Sequence, residues 1–137
     1  MKPVCDHIGL FTANAERMKE FYIHALDFEF GGETILAGSV VSSIFGIGSD
    51  CRFLKLHRDG FMLEIFEPLS PPSQEHEASR FGVNHWGFCT AERDLLLEKL
   101  RRECIPIIEI EKQGHRIYFL IDPDGNRIEL RECREGD

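Results

Sequence analysis

Apolar residues along the first half of the chain change their period several times. In "PVCDHIGLFT" (3–12) Ile8 and Leu10 alternate with His7, Gly9 and Phe11, which is the period of a strand. In "NAERMKEFYIHAL" (14–26) Met18, Phe21, Tyr22, Ala25 and Leu26 fall at helical spacing and form one apolar stripe, with Asn14 placed as the N-cap. "DFEFGGE" (27–33) reads as a short strand ending at a glycine pair. "TILAGSVVSSIFGIGS" (34–49) is apolar and rich in Gly and Ser without a clean period, which predicts a mobile loop or a short helical turn. "CRFLKLHRDGFMLEIFEP" (51–68) predicts a hairpin turning at Arg58-Asp59-Gly60.

The polar, proline-bearing stretch "PLSPPSQEHEASRFG" (68–82) reads as a linker. Beyond it the order repeats as strand (82–90), helix (92–104), strand (105–111) and a hairpin (115–132) turning at Asp122-Pro123-Asp124-Gly125. The chain therefore reads β-α-β-β-β twice. The repeat extends to residues: [Asp/Asn]-His-x-Gly-[Leu/Phe] occurs at 6–10 and 84–88, and Gly-x-x-[Leu/Ile]-Glu-[Ile/Leu]-x-Glu at 60–67 and 125–132. The predicted class is α+β, a single domain over 1–137 with module one at about 3–68, a linker at 69–81 and module two at about 82–133.

Strand alternation assigns faces. Ile8 and Leu10, Leu63 and Ile65, and Ile128 and Leu130 should meet the helices. His7, Glu64, His85 and Glu129 then point the other way, with Gly9 and Gly87 leaving space two residues after each histidine. A lone strand histidine or glutamate is more often a wet-face residue, and His24, His57, His76 and His115 are read that way. Two histidines and two glutamates at equivalent positions on one face suit a divalent metal. Zn²⁺, Ni²⁺, Co²⁺, Fe²⁺ and Mn²⁺ all accept such nitrogen and oxygen donors, and the cation would offset the paired carboxylates.

Composition narrows the setting. The 137 residues carry a formal net charge of −8 and an isoelectric point near 5.2, which argues against nucleic-acid or anionic-membrane partners. No apolar run approaches a membrane span and no secretory signal is visible at the N-terminus, so a cytoplasmic protein is expected. Five scattered cysteines without a C-x-x-C motif predict free thiols, with Cys5 and Cys89 as small buried packing residues.

"DHIGLF…ERMKEFYIHALDFEF", "NHWGF" and "DPDGNRIEL" resemble the paired modules of the vicinal oxygen chelate superfamily. That superfamily includes glyoxalase I, methylmalonyl-CoA epimerase, extradiol dioxygenases and bleomycin-resistance proteins. The resemblance implies paired βαβββ modules forming a cup, one divalent metal inside it and a homodimer. Its glyoxalase I members imply His7, Glu64, His85 and Glu129 as metal ligands; a dioxygenase would need only His7, His85 and Glu129. The chain departs from glyoxalase I at Phe11, where that enzyme has an arginine for glutathione, and at Pro68, where it has asparagine. "LEIFEPLSP" is closer to the epimerase segment. Both enzymes imply proton abstraction next to a carbonyl of a small-molecule substrate, with Glu129 as the first choice of base and Glu64 returning the proton. Phe45 and Phe53, with the 34–49 stretch, are the expected walls of the substrate site. A metal-dependent dioxygenase and a non-catalytic small-molecule binder are the alternatives.

Overall fold

The computed structural model describes residues 5–70 and 82–133. It separates into two compact units, residues 1–76 and 77–137. Residues 71–81, most of the expected linker, lie outside the described residues.

The first unit contains β1 (His7–Phe11), α1 (Ala15–Leu26), β2 (Glu29–Leu36), α2 (Gly38–Phe45), β3 (Cys51–Arg58) and β4 (Phe61–Pro68). Its sheet runs in the order β1-β4-β3-β2; β1 is parallel to β4 and the other pairings are antiparallel. Met18, Tyr22, Ala25 and Leu26 of α1 are buried, as are Leu54, Leu56, Leu63 and Ile65 from the sheet, so the core forms where the two alternation patterns predicted. Asn14 caps α1 by accepting from the backbone N–H of Arg17 at 3.0 Å. The hairpin turn falls at Asp59 and Gly60, both at positive φ (47° and 80°), as a tight two-residue connection requires.

One expectation for residues 27–49 needs correction. The strand does not stop at the glycine pair, because β2 continues to Leu36 through a bulge between Phe30 and Gly32. Of the two readings of "TILAGSVVSSIFGIGS", the helical one holds: its first residues finish β2 and Gly38–Phe45 form the short helix α2. Its N-terminal cap comes from a distance, since Asp50 Oδ1 accepts from the Gly38 N–H at 2.6 Å. Ala37, the local cap residue, makes no side-chain hydrogen bond, so the usual sequence signal for a helix start is missing.

The helix side of the first sheet is tied electrostatically. Glu67 of β4 accepts from the N–H of Ala15, the first residue of α1, at 2.9 Å. Arg52 of β3 donates to Glu16 and Glu33, both at 3.1 Å, and approaches Glu67 at 3.5 Å. These contacts join β2, β3, β4 and α1 through one guanidinium.

The second unit contains β5 (Trp86–Thr90), α3 (Arg93–Arg102), β6 (Ile107–Lys112), β7 (His115–Ile121) and β8 (Arg127–Glu132). Its sheet order β5-β8-β7-β6, with β5 parallel to β8, repeats the first. Leu97 and Leu100 of α3 are buried, with Tyr118, Leu120, Ile128 and Leu130 from the sheet. The β7–β8 turn is held by Asp122, whose Oδ1 accepts from the N–H groups of Asp124 and Asn126 at 3.0 and 2.8 Å.

The cysteine expectation also fails. Cys89 and Cys133 form a disulfide, with Cα atoms 5.0 Å apart, while Cys5, Cys51 and Cys104 are free. Neither Cys5 nor Cys89 is buried. A separation of 44 residues hides the pairing in the sequence; the parallel alignment of β5 with β8 creates it by setting Cys89 opposite Arg131, two residues before Cys133. Five free thiols therefore cannot carry the argument about compartment. Among the described residues no helix is long and apolar enough to cross a membrane.

The Arg52 network gives a pH-dependent prediction. Lys19 first and then Arg52 hold the Glu16 carboxyl below its ordinary range, and Arg52 does the same for Glu33. Stability from a depressed carboxyl is present above its unfolded pKa and is lost as pH falls through the folded one. Arg52→Met should lower the melting temperature at pH 7, and its effect should shrink steadily below about pH 4. Thermal melts of both proteins at pH 7 and 3.5 check this; an equal deficit at both would assign the effect to packing instead.

Candidate metal centre

Parallel pairing sets the geometry of the first half-site. Gly9 lies directly opposite Glu64 in the β1–β4 ladder, and His7 opposite Met62. Opposed residues in a ladder share a face, so the His7 and Glu64 side chains project together from the side away from α1. His7 Nε2 lies 3.7 Å from Glu64 Oε2. The second unit repeats this: Gly87 is opposite Glu129, and His85 Nε2 lies 3.5 Å from Glu129 Oε2. All four residues expected as ligands thus occur in two His–Glu pairs, one in each unit. Among the described residues no group of three or more His, Cys, Asp or Glu side chains forms a metal cluster.

The backbone approaches closely where the second pair forms. A Cβ on Gly87 would lie 3.1 Å from the Glu129 carbonyl oxygen and 3.3 Å from the Glu129 Cβ. At Gly9 the constraint differs, because the added Cβ would meet the edge of the Phe66 ring at 3.3 Å.

The far nitrogen of each imidazole also has a partner. His7 Nδ1 lies 3.0 Å from Asp6 Oδ2, and His85 Nδ1 contacts Asn84 Oδ1. An Nδ1–H donating to the preceding side chain leaves the Nε2 lone pair facing a carboxylate oxygen, and two acceptors at that range repel unless a cation or proton lies between them. The hydrogen bond to Asp6, and after it the Glu64 charge, raise the His7 pKa above the ordinary imidazole value, so a proton competes for that place. The donors nevertheless fit a metal. Two ligands at about 2.1 Å from one ion are roughly 3.0–3.4 Å apart for octahedral to tetrahedral angles, close to both observed separations.

The surroundings of the two pairs differ. Lys55 of β3 is opposite Glu64, and its ammonium lies 5.4 Å from the centre of the Phe53 ring. Phe119 of β7 is opposite Glu129 and packs edge-on against the His85 ring at 5.3 Å. On the Glu64 side Phe66 stacks on Phe53 at 4.7 Å and meets Phe45 at 5.3 Å and Phe11 at 5.6 Å. The two expected wall residues, Phe45 and Phe53, therefore belong to an aromatic group completed by Phe11 and Phe66. Sequence reasoning set Phe66 beside Glu64 on the same face but missed Lys55 and Phe119 as neighbours of the site, because both required the hairpin register.

A family model described as the Glyoxalase/Bleomycin resistance protein/Dioxygenase superfamily matches residues 4–130. The chain belongs to that superfamily. It is 28% identical over 130 residues to the uncharacterized protein YwkD of Bacillus subtilis (strain 168), covering 92% of this chain and 94% of that one. A glyoxalase family protein from Enterococcus faecalis shares the fold with a TM-score of 0.69 and 23% identity, over 93% of this chain and 95% of that one. The trypanothione-dependent glyoxalase I of Leishmania major does so with a TM-score of 0.64 and 18% identity, over 96% and 87%. At these identities the structural likenesses establish the superfamily fold and not an activity.

Gly87→Ala should destabilise the chain by about 1–3 kcal/mol, since β5 and β8 must part to admit the methyl group. Gly48→Ala, where no atom lies within 4 Å of the added carbon, should stay within roughly 0.5 kcal/mol of the parent. Urea unfolding of both variants tests the pair; equal stabilities would mean the β5–β8 approach is not tight.

Proposed function

We propose that this superfamily member is a metal-dependent lyase or isomerase that abstracts a proton next to a carbonyl of a small molecule, as glyoxalase I and methylmalonyl-CoA epimerase do. In this reading His7, Glu64, His85 and Glu129 hold one divalent ion, of the Zn, Ni, Co, Fe or Mn type. The supporting observation is the twofold occurrence of an imidazole Nε2 facing a carboxylate oxygen, at 3.7 and 3.5 Å, with its Nδ1 engaged by the preceding residue. When bound, the ion supplies Lewis-acid stabilisation of the negative charge that develops on the substrate oxygen.

The protein's own groups divide the remaining work. Glu129 is the base: its carboxylate takes the substrate proton, leaving the electron pair on the carbon next to the carbonyl; Glu64, after taking up a proton from solvent water, delivers it to that carbon, and Glu129 releases its own proton to water, which completes the isomerisation. Their neighbours differ: the Lys55 ammonium lies across the strand from Glu64, and the Phe119 ring lies opposite Glu129. A carboxylate is a weak base toward carbon acids in water, so the step needs a dry site. Phe119 beside Glu129, and Phe45, Phe53, Phe11 and Phe66 beside Glu64, provide apolar surface for excluding water. Glutathione finds no guanidinium at position 11, since Phe11 stands there, so the substrate tail differs from that of a glutathione-dependent enzyme.

Elemental analysis of purified protein should give about one divalent ion per site, falling at least tenfold in occupancy in His7→Ala and in His85→Ala. Glu129→Gln should abolish metal-dependent solvent-deuterium exchange at the carbon next to the carbonyl of a 2-oxo substrate. Glu64→Gln decides against the dioxygenase alternative, because a three-ligand iron site would survive that change. Protein that takes up no ion at all sinks the proposal.

Metal uptake should also weaken with acid. A proton on His7 Nε2 excludes the ion, so half-saturation should move to higher metal concentration as pH falls through the raised His7 pKa, beginning above the ordinary 6.5. A pH-independent titration between 5.5 and 8 would exclude His7 as a ligand.

We further propose a homodimer, with twice the 15.8 kDa chain mass in sedimentation. Mixing His7→Ala with His85→Ala protein in equal amounts would restore one ion per heterodimer, about one per four chains under random pairing, if sites are shared between subunits, and none if each is built within one chain.

A further inference from the structure

The second unit contains a cavity of about 510 Å³ that runs alongside Glu129. It opens where the β7–β8 ladder ends. The two strands pair from Tyr118 opposite Leu130 to Ile121 opposite Arg127, and on the other side of Tyr118 they part. Its charged lining is Arg93, Lys112, Arg116 and Arg131 against Glu129 and Glu132, a surplus of two positive charges in a chain whose net charge is −8. His115 also lines it.

Pairing within the cavity increases the contrast. Arg116 is matched by Glu109 at 2.9 Å, and Arg93 lies 3.7 Å from Glu132 and over the Tyr118 ring. Lys112 and Arg131 form no ion pair with any described residue, although the chain has 24 acidic side chains. Two exposed cations left unmatched in the lining of one cavity, joined there by a histidine and beside the assigned base, mark a place for a doubly charged anion.

We propose that this cavity is a phosphoryl-binding subsite, and that the substrate is a carbonyl compound carrying a phosphate group. This rests on the assignment of Glu129 as base. The Lys112 ammonium and the Arg131 guanidinium bind the phosphate oxygens, the guanidinium through two parallel N–H···O hydrogen bonds. The reacting carbon then reaches toward Glu129. The cavity's charge surplus matches a dianion better than a single carboxylate.

The test is calorimetric titration of inorganic phosphate into the protein at low ionic strength, with succinate as the dicarboxylate arm. Phosphate should bind saturably and more tightly than succinate. Lys112→Met and Arg131→Met should each weaken it several-fold, and the double variant at least tenfold. Both residues are exposed, so circular dichroism should show unchanged folds. His85→Ala, which removes a proposed metal ligand outside the cavity, and Arg17→Met, which removes an exposed cation of α1 in the first unit, should bind phosphate within about twofold of wild type. Absent phosphate binding, undiminished binding in the double variant, tighter binding of succinate, or loss of binding in His85→Ala would overturn the proposal. Because phosphate binding and metal uptake are read separately, either can fail while the other stands.

Discussion

The parallel pairing of the first and last strands in each half is the constraint on which the rest depends. A parallel ladder fixes which side chains share a face, and here it sets a glycine against a glutamate with a histidine two residues earlier. A slip of one residue would turn Glu64 into the leucine and isoleucine layer beneath α1 and expose Leu63 and Ile65 in its place. Burial of Leu63, Ile65, Ile128 and Leu130 thus protects the positions of the four polar residues more firmly than any interaction among them. The apolar layer specifies the polar one.

The same strands also hold the other face. Glu67, three residues after Glu64, emerges on the helix side and accepts the first N–H of α1, and Glu132 approaches Arg93, the first residue of α3, at 3.7 Å. Each Gly-x-x-[Leu/Ile]-Glu-[Ile/Leu]-x-Glu segment therefore has one acid for each side of its sheet. The outer acid anchors the start of a helix by charge and hydrogen bonding. The inner acid has an imidazole as its partner. Odd spacing of the two glutamates sends one carboxylate to each face of the sheet.

Much of this was legible in the sequence because it depends on period. The α1 stripe, the Asn14 cap, both hairpin turns and the phase of His7, Glu64, His85 and Glu129 follow from spacing alone, and the superfamily resemblance rests on those same residues. What escaped depends on partners distant in the chain. Helix α2 is capped by Asp50, twelve residues from Gly38, and β2 passes its glycines by bulging. Cys89 meets Cys133 only after β5 aligns with β8. Lys55 and Phe119 became neighbours of the site through antiparallel register, which a one-dimensional pattern leaves open until turn geometry is fixed.

The duplication preserves a scaffold while its decoration diverges, and that divergence bears on mechanism. Two identical His–Glu pairs would give a substrate no reason to surrender its proton to one side over the other. Here the residue opposite the glutamate is Lys55 in one half and Phe119 in the other, so the two carboxylates stand in unlike electrostatic surroundings. The first half gathers four phenylalanines on the sheet face that carries Glu64, while the second has unmatched cations beside Glu129. A fold built by repetition acquires direction only where the repeat is broken. In this chain the breaks surround the two carboxylates.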